Sequence, residues 1–219
     1  MIKQIIIFNL LSLFISCANT SIQSKNEENQ KLEIKKKIKI TLFQDLRNGS
    51  NTDKLFYFLI PFVKYGEAQF NFPESNKLNI NTPINYHIAH ILKVEIQNKY
   101  IPKSLYISDE PLNNADYIIK GKVNTFFCSR KLYSYWLSFL GVLTWYSGLP
   151  IVSNECKINI QIDLENKSGK VLFSNLYSAQ NKDYFSFYKS SRKEYSEFES
   201  DLVKNVIDQF LIDIKPFLK

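Results

Sequence analysis

The sequence predicts an α+β or mixed α/β domain: a single sheet, two main helices packed mostly on one of its faces, and an aromatic-rich hairpin insert. Three stretches carry that prediction. In "KINIQIDLEN", Ile158, Ile160, Ile162 and Leu164 alternate with Lys157, Asn159, Gln161 and Asp163, the period of a half-buried strand. In "TPINYHIAHILKVEIQNKY", Ile84, Ile88, Ile91 and Leu92 recur at helical spacing. The closing stretch "EYSEFESDLVKNVIDQFLIDIKPFLK" places Phe198, Leu202, Val206, Phe210 and Phe217 on one helical face.

The elements follow in order. "IKITLFQDLRNGS" opens the fold as a strand, with Ile38, Ile40 and Leu42 alternating with Lys39 and Thr41. "DKLFYFLIPFVKYGEAQF" is apolar, but Pro61 argues against a helix interior or a central strand, so a short strand or an irregular segment is expected. Thr82 is placed to cap the first helix, with Pro83 at its first position. "SLYISD" reads as a short strand. "ADYIIKGKVNTFF" reads as a long one, with Tyr117, Ile119, Val123 and Phe127 on one face. "NKSGK" turns the clean strand back into "VLFSNLYSA" as a hairpin.

The front of the chain differs in kind. Lys3 precedes an apolar stretch of about a dozen residues ending at Ser16-Cys17, too short to span a bilayer and suited to a secretory signal. "LFISC" resembles the lipobox of bacterial lipoproteins, although Phe14 and Ile15 depart from its strictest pattern. The resemblance implies acylation of Cys17 after removal of residues 1–16. An ordinary signal peptide and a retained anchor are the alternatives. Residues 17–36 are polar and charged and read as a tether. Residues 37–219 are then the domain. Ala18, next to the cysteine, resembles the sorting signal for the outer membrane, and a periplasmic or surface-facing envelope location follows.

Composition excludes less than the front end does. The net charge is +7, and Lys35, Lys36, Lys37 and Lys39 form the clearest basic run, either a solvated face or a contact for lipid headgroups. An exported chain meets little nucleic acid, so none is expected as a partner. Cys128 and Cys156 flank an insert at about 129–155 that carries no charge from Leu132 to Asn154. They can close its neck as a disulfide or remain buried thiols. Within the insert, Tyr133, Tyr135, Trp136, Phe139, Trp145 and Tyr146 are candidate contacts. Folding onto the domain's own core, dipping into a bilayer interface and docking on a protein are all open readings.

Several segments in order, "IKITLFQDLRNGS", "FLIPFVKYG", "ADYIIKGKVNTFF", "LSFLGVLTWYSGLP" and "INIQIDLENKSGKVLFS", are similar to a group of bacterial envelope lipoproteins. The group is related to curli-secretion-type, penicillin-binding-protein-activator and transporter-auxiliary lipoproteins. The resemblance implies an α/β domain that assembles with envelope proteins, with no catalytic residues to carry over. Among the residues themselves, His87 and His90 are two where a zinc site needs three or four, and no HExxH, CxxC, P-loop, GxSxG or GxGxxG is present. Asp45 and Arg47 are placed to form an ion pair after the first strand. The expectation is therefore a non-enzymatic lipoprotein with no cofactor or metal. It would bind or scaffold an envelope protein, through the insert or a sheet edge, and self-association is open. A carrier of lipid or a small apolar ligand is the alternative.

Overall fold

In a computed structural model of the chain, residues 31–71, 83–110, 114–188 and 195–218 are described, the side chains of 195–199 excepted. The signal segment, Cys17, the Thr82 cap and the Phe198 side chain lie outside them. The described residues all belong to one compact unit, Lys31–Lys219.

The architecture is mixed α+β, dominated by one sheet of eight strands. The strands are β1 Leu32–Ile40, β2 Gln44–Asp45, β3 Thr52–Lys54, β4 Tyr65–Asn71, β5 Tyr100–Ile107, β6 Tyr117–Tyr133, β7 Val152–Asn166 and β8 Val171–Phe185. Among the described residues there are three α-helices: α1 Ile84–Lys99, α2 Val142–Tyr146 and α3 Tyr195–Ile214. Two long helices do not complete the helical content, because the insert folds a short helix of its own between the antiparallel-paired ends of β6 and β7.

β6 is the spine. Along one side it pairs in turn with β1 and β2, both parallel, and then with β4, antiparallel. Along the other it pairs antiparallel with β7 over its whole length, and β7 pairs with β8. β5 flanks β1 in parallel at one edge, where Pro102 is tolerated.

The core fills the space between the sheet and the two long helices. α1 buries Ile84, Ile88, Ala89, Leu92 and Ile96. Pro83 is its N-cap, one place before the expected first position. α3 buries Leu202, Val203, Val206, Ile207, Phe210, Leu211 and Ile214. Phe217 stays at the margin, its ring 5.9 Å from Phe173. Ion pairs Lys204–Glu95 (3.3 Å) and Lys99–Asp208 (2.7 Å) join the helices on their outer side. Burial and the Tyr177–Asp213 hydrogen bond (2.7 Å) push the Tyr177 hydroxyl pKa upward.

Two boundaries differ from the sequence expectation. The domain begins at Leu32 rather than Lys37, because Leu32, Glu33 and Ile34 pair with β5 and Ile34 is buried. The buried face of β6 also changes phase. The register of β6 on β7 shifts between Val123 and Thr125, so Asn124 is an extra residue. A bulge of one residue moves every later side chain to the opposite face. Phe126 and Cys128 are buried as a result, and Phe127, expected inside, is only partly covered.

Candidate functional site

The long strands matter because of what their far end carries. β4, β6, β7 and β8 all reach the same end of the sheet, where Tyr65 pairs with Tyr133, Leu132 with Val152, and Val152 with Phe185. Three chain segments meet there. The first is residues 55–63, beginning with a 3₁₀ helix at Leu55–Leu59. The second is the insert between β6 and β7, residues 134–151, which contains a 3₁₀ turn at Ser138–Gly141 followed by α2. The third is 184–188. None of the three contains a charged residue, in a chain that is 22% charged.

The tips are held by specific bonds. The backbone N–H groups of Ser134 and Tyr135 both donate to the Lys64 carbonyl at 3.0 Å, and the Ser134 hydroxyl donates to Val63 O at 2.8 Å. The Ser138 hydroxyl donates to Leu59 O, and Phe62 N–H donates to Trp136 O at 3.3 Å. Trp145 Nε1 donates to Tyr133 O (2.9 Å), the Tyr135 hydroxyl to Pro150 O (2.7 Å) and the Tyr188 hydroxyl to Tyr146 O (2.8 Å). Burial raises the Tyr135 pKa, with Tyr133 adding to it. Two glycines permit the close approach. A Cβ on Gly66 would lie 1.7 Å from Leu55 O, and one on Gly141 would lie 2.2 Å from Ser134 O.

Backbone strain is concentrated in the same place. Among the described residues, the non-glycine positions with positive φ are Phe62 (65°), Tyr135 (54°), Trp136 (67°) and Ser138 (53°). Each such conformation costs on the order of 1–3 kcal/mol and persists only where the surroundings impose it.

The three segments aim apolar side chains outward. Phe62 is 87% exposed, Phe56 77%, Tyr188 75%, Phe139 68%, Leu143 66% and Tyr146 63%. Tyr57, Trp136, Leu137, Leu140 and Phe187 are exposed beside them. Of the candidates named from sequence, Trp136, Phe139 and Tyr146 face outward. Tyr133, Tyr135 and Trp145 turn inward and brace the tips. Phe56, Tyr57, Phe62, Phe187 and Tyr188 were not among the candidates. The signal for the first three was present in "LFYFLIPFV", as free of charge as the insert. Only the β4–β6 pairing shows that the two runs meet.

Lysines ring this end. Lys64 Nζ lies 5.0 Å from the Trp136 ring, Lys54 5.7 Å from Tyr57, Lys131 4.9 Å from Tyr65 and Lys182 5.1 Å from Tyr184. Glu67 pairs with Lys131, and Glu155 with Lys157 and Lys182. The hydrogen bond from Lys157 holds the Glu155 carboxyl below its usual range.

Below the tips, Cys128 and Cys156 are directly paired residues of β6 and β7 and are joined by a disulfide, with Cα atoms 4.1 Å apart. Closing a loop with a separation of 28 residues is worth about 3–4 kcal/mol in the chain-entropy account.

The remaining candidates are placed apart from this end. His87 is half-buried on α1, and burial, followed by the nearby His90, lowers its pKa. His90 is exposed and stacks on Tyr86. Arg47 grips Asp45 with two 2.8 Å hydrogen bonds after β2, which lowers the Asp45 pKa. Among the described residues no group of three or more His, Cys, Asp or Glu could hold a metal, and no helix is long and apolar enough to cross a membrane.

No family model matches the sequence, and no curated protein does. Solved structures are similar in part. A PelC dodecamer from Paraburkholderia phytofirmans is 13% identical, with 84% of this chain and 91% of that one covered at a TM-score of 0.42. The hypothetical protein CT253 from Chlamydia trachomatis is 6% identical, covering 84% and 98% at 0.42. The lipoprotein GNA1162 from Neisseria meningitidis is 10% identical, covering 83% and 99% at 0.34. One of these neighbours is named as a lipoprotein, and none of the three bears a curli-secretion or penicillin-binding-protein-activator name. Likenesses of this degree assign no function to the chain.

Proposed function

We propose that the chain is a non-enzymatic lipoprotein of the bacterial envelope, held to the outer membrane by acyl groups on Cys17. It acts as a binding or assembly factor for an envelope complex, and its docking surface is the apolar end of the sheet. One observation carries this reading: three uncharged, cross-bonded segments, the first two of them strained, hold large apolar side chains out in water. Left in water those side chains contribute nothing to folding. Covered by another component of the envelope, each Phe or Leu supplies roughly 1.5–3 kcal/mol. Among the described residues β8 pairs only with β7, and its other edge offers a protein partner a place to add a strand.

The test separates the docking surface from the lipid. The chain from Ala18 onward contains the whole compact unit and can be exported behind an unrelated cleavable signal. It is expected to remain with the envelope fraction, and Phe62→Ser combined with Phe139→Ser is expected to release it. An unlipidated chain that is soluble whether or not the tips are intact would overturn the reading.

A further inference from the structure

We infer that the apolar end of the sheet seats in the interfacial region of an anionic lipid bilayer. The inference rests on the reading of this end as a docking surface and names its occupant.

Shape is the first argument. The most exposed side chains, Phe62 at 87% and Phe56 at 77%, stand out from the tips, largely uncovered by their neighbours. A protein partner would need a deep complementary pocket for each. Acyl chains and headgroups conform to any convex surface.

Composition is the second. The tips combine Phe and Leu with amphipathic Trp136, Tyr57 and Tyr146, the mixture favoured at the membrane–water boundary. They contain no arginine, the charged residue enriched in protein interfaces.

Charge is the third. The residues just behind the tips, 51–54, 64–69, 129–133, 152–157 and 182–183, hold six cationic side chains and four carboxylates. Glu67 and Glu155 are paired with three of those cations, Lys131, Lys157 and Lys182, and the margin keeps a net charge of +2. Lys64 and Lys54 lie against rings at the margin of the tips, where their ammonium groups can meet lipid phosphate while their stems follow the apolar surface.

Position gives the contact a consequence. β1 enters the sheet at Leu32, six residues before Ile38 meets Tyr117, and the tips follow Tyr133 at the other end of β6. Entry point and tips are therefore on the order of 60–70 Å apart along the strands. A bilayer contact at the tips fixes the tilt of the domain, which a lipid at the opposite end leaves free.

The chain carries its own reporters, because both tryptophans, Trp136 and Trp145, lie in the tips. The unlipidated chain from Ala18 onward is mixed with protein-free phosphatidylethanolamine vesicles containing a minority of phosphatidylglycerol. It is expected to co-sediment with them, to shift its tryptophan emission to the blue and to be quenched by brominated acyl chains. Phe62→Ser with Phe139→Ser is expected to weaken binding by at least about tenfold. Both side chains are exposed, so the variant should melt as the parent does. Binding that survives the double substitution overturns the inference. So does failure to bind vesicles by a chain that the envelope fraction still retains, which leaves the docking reading standing with a protein as occupant. Loss of both associations overturns inference and reading together.

Discussion

His87 shows how one side chain sets a response to pH. Burial keeps its imidazole pKa below the ordinary value of 6.5, so the folded chain binds fewer protons than the unfolded chain as pH falls through that value. Its contribution to stability is complete above about 6.5 and is lost progressively below it. The chain has only two histidines, the side chains whose ordinary pKa falls in this window. Melting temperature is expected to fall between pH 7.5 and 5.5, and His87→Gln should flatten that fall. Equal slopes for parent and variant would contradict the assignment. Gly66 and Gly141 show the reverse limit: their requirement comes entirely from carbonyls that reach them through the fold, 1.7 and 2.2 Å from where a Cβ would stand.

Among the elements, β6 is the most instructive. Alternation in "ADYIIKGKVNTFF" puts Phe127 inside, and the extra residue Asn124 puts Phe126 there instead. Phe126→Ala is therefore expected to cost about 3–5 kcal/mol, and Phe127→Ala distinctly less. Urea midpoints of the two variants decide between the two phases. β7 and α1 were legible because nothing interrupts their periods, and each buries the residues its pattern names, with Ile91 only partly covered. The bulge was not legible, because an inserted residue announces itself only by the partner strand it fails to match.

For the whole molecule, the test is where the fold begins. A chain starting at Lys31 retains all of β1, and one starting at Lys37 loses Ile34 and the pairing of Leu32, Glu33 and Ile34 with β5. The shorter chain is expected to lose at least about 2–5 kcal/mol, the ordinary cost of deleting a buried isoleucine side chain, and its denaturant midpoint should fall accordingly. Equal midpoints would show that the first strand turn is dispensable. A charge run such as Lys35-Lys36-Lys37 reads as solvated chain, yet the strand leaves Lys35 and Lys36 exposed at the register shift between Ile34 and Lys37 and buries Ile34.

What the sequence alone determined here are the local quantities: the strand and helix periods, the uncharged insert, the cysteines at its neck and the polar stretch ahead of the fold. Each depends on neighbours in the chain, within reach of a turn of helix or a few strand residues. Tertiary structure alone decided which side of β6 is buried, that "LFYFLIPFV" and the insert form one surface, and that Tyr133, Tyr135 and Trp145 brace what Trp136, Phe139 and Tyr146 display. Those outcomes depend on register between strands distant in the chain, where pairing and backbone strain rather than residue type settle which way a side chain points.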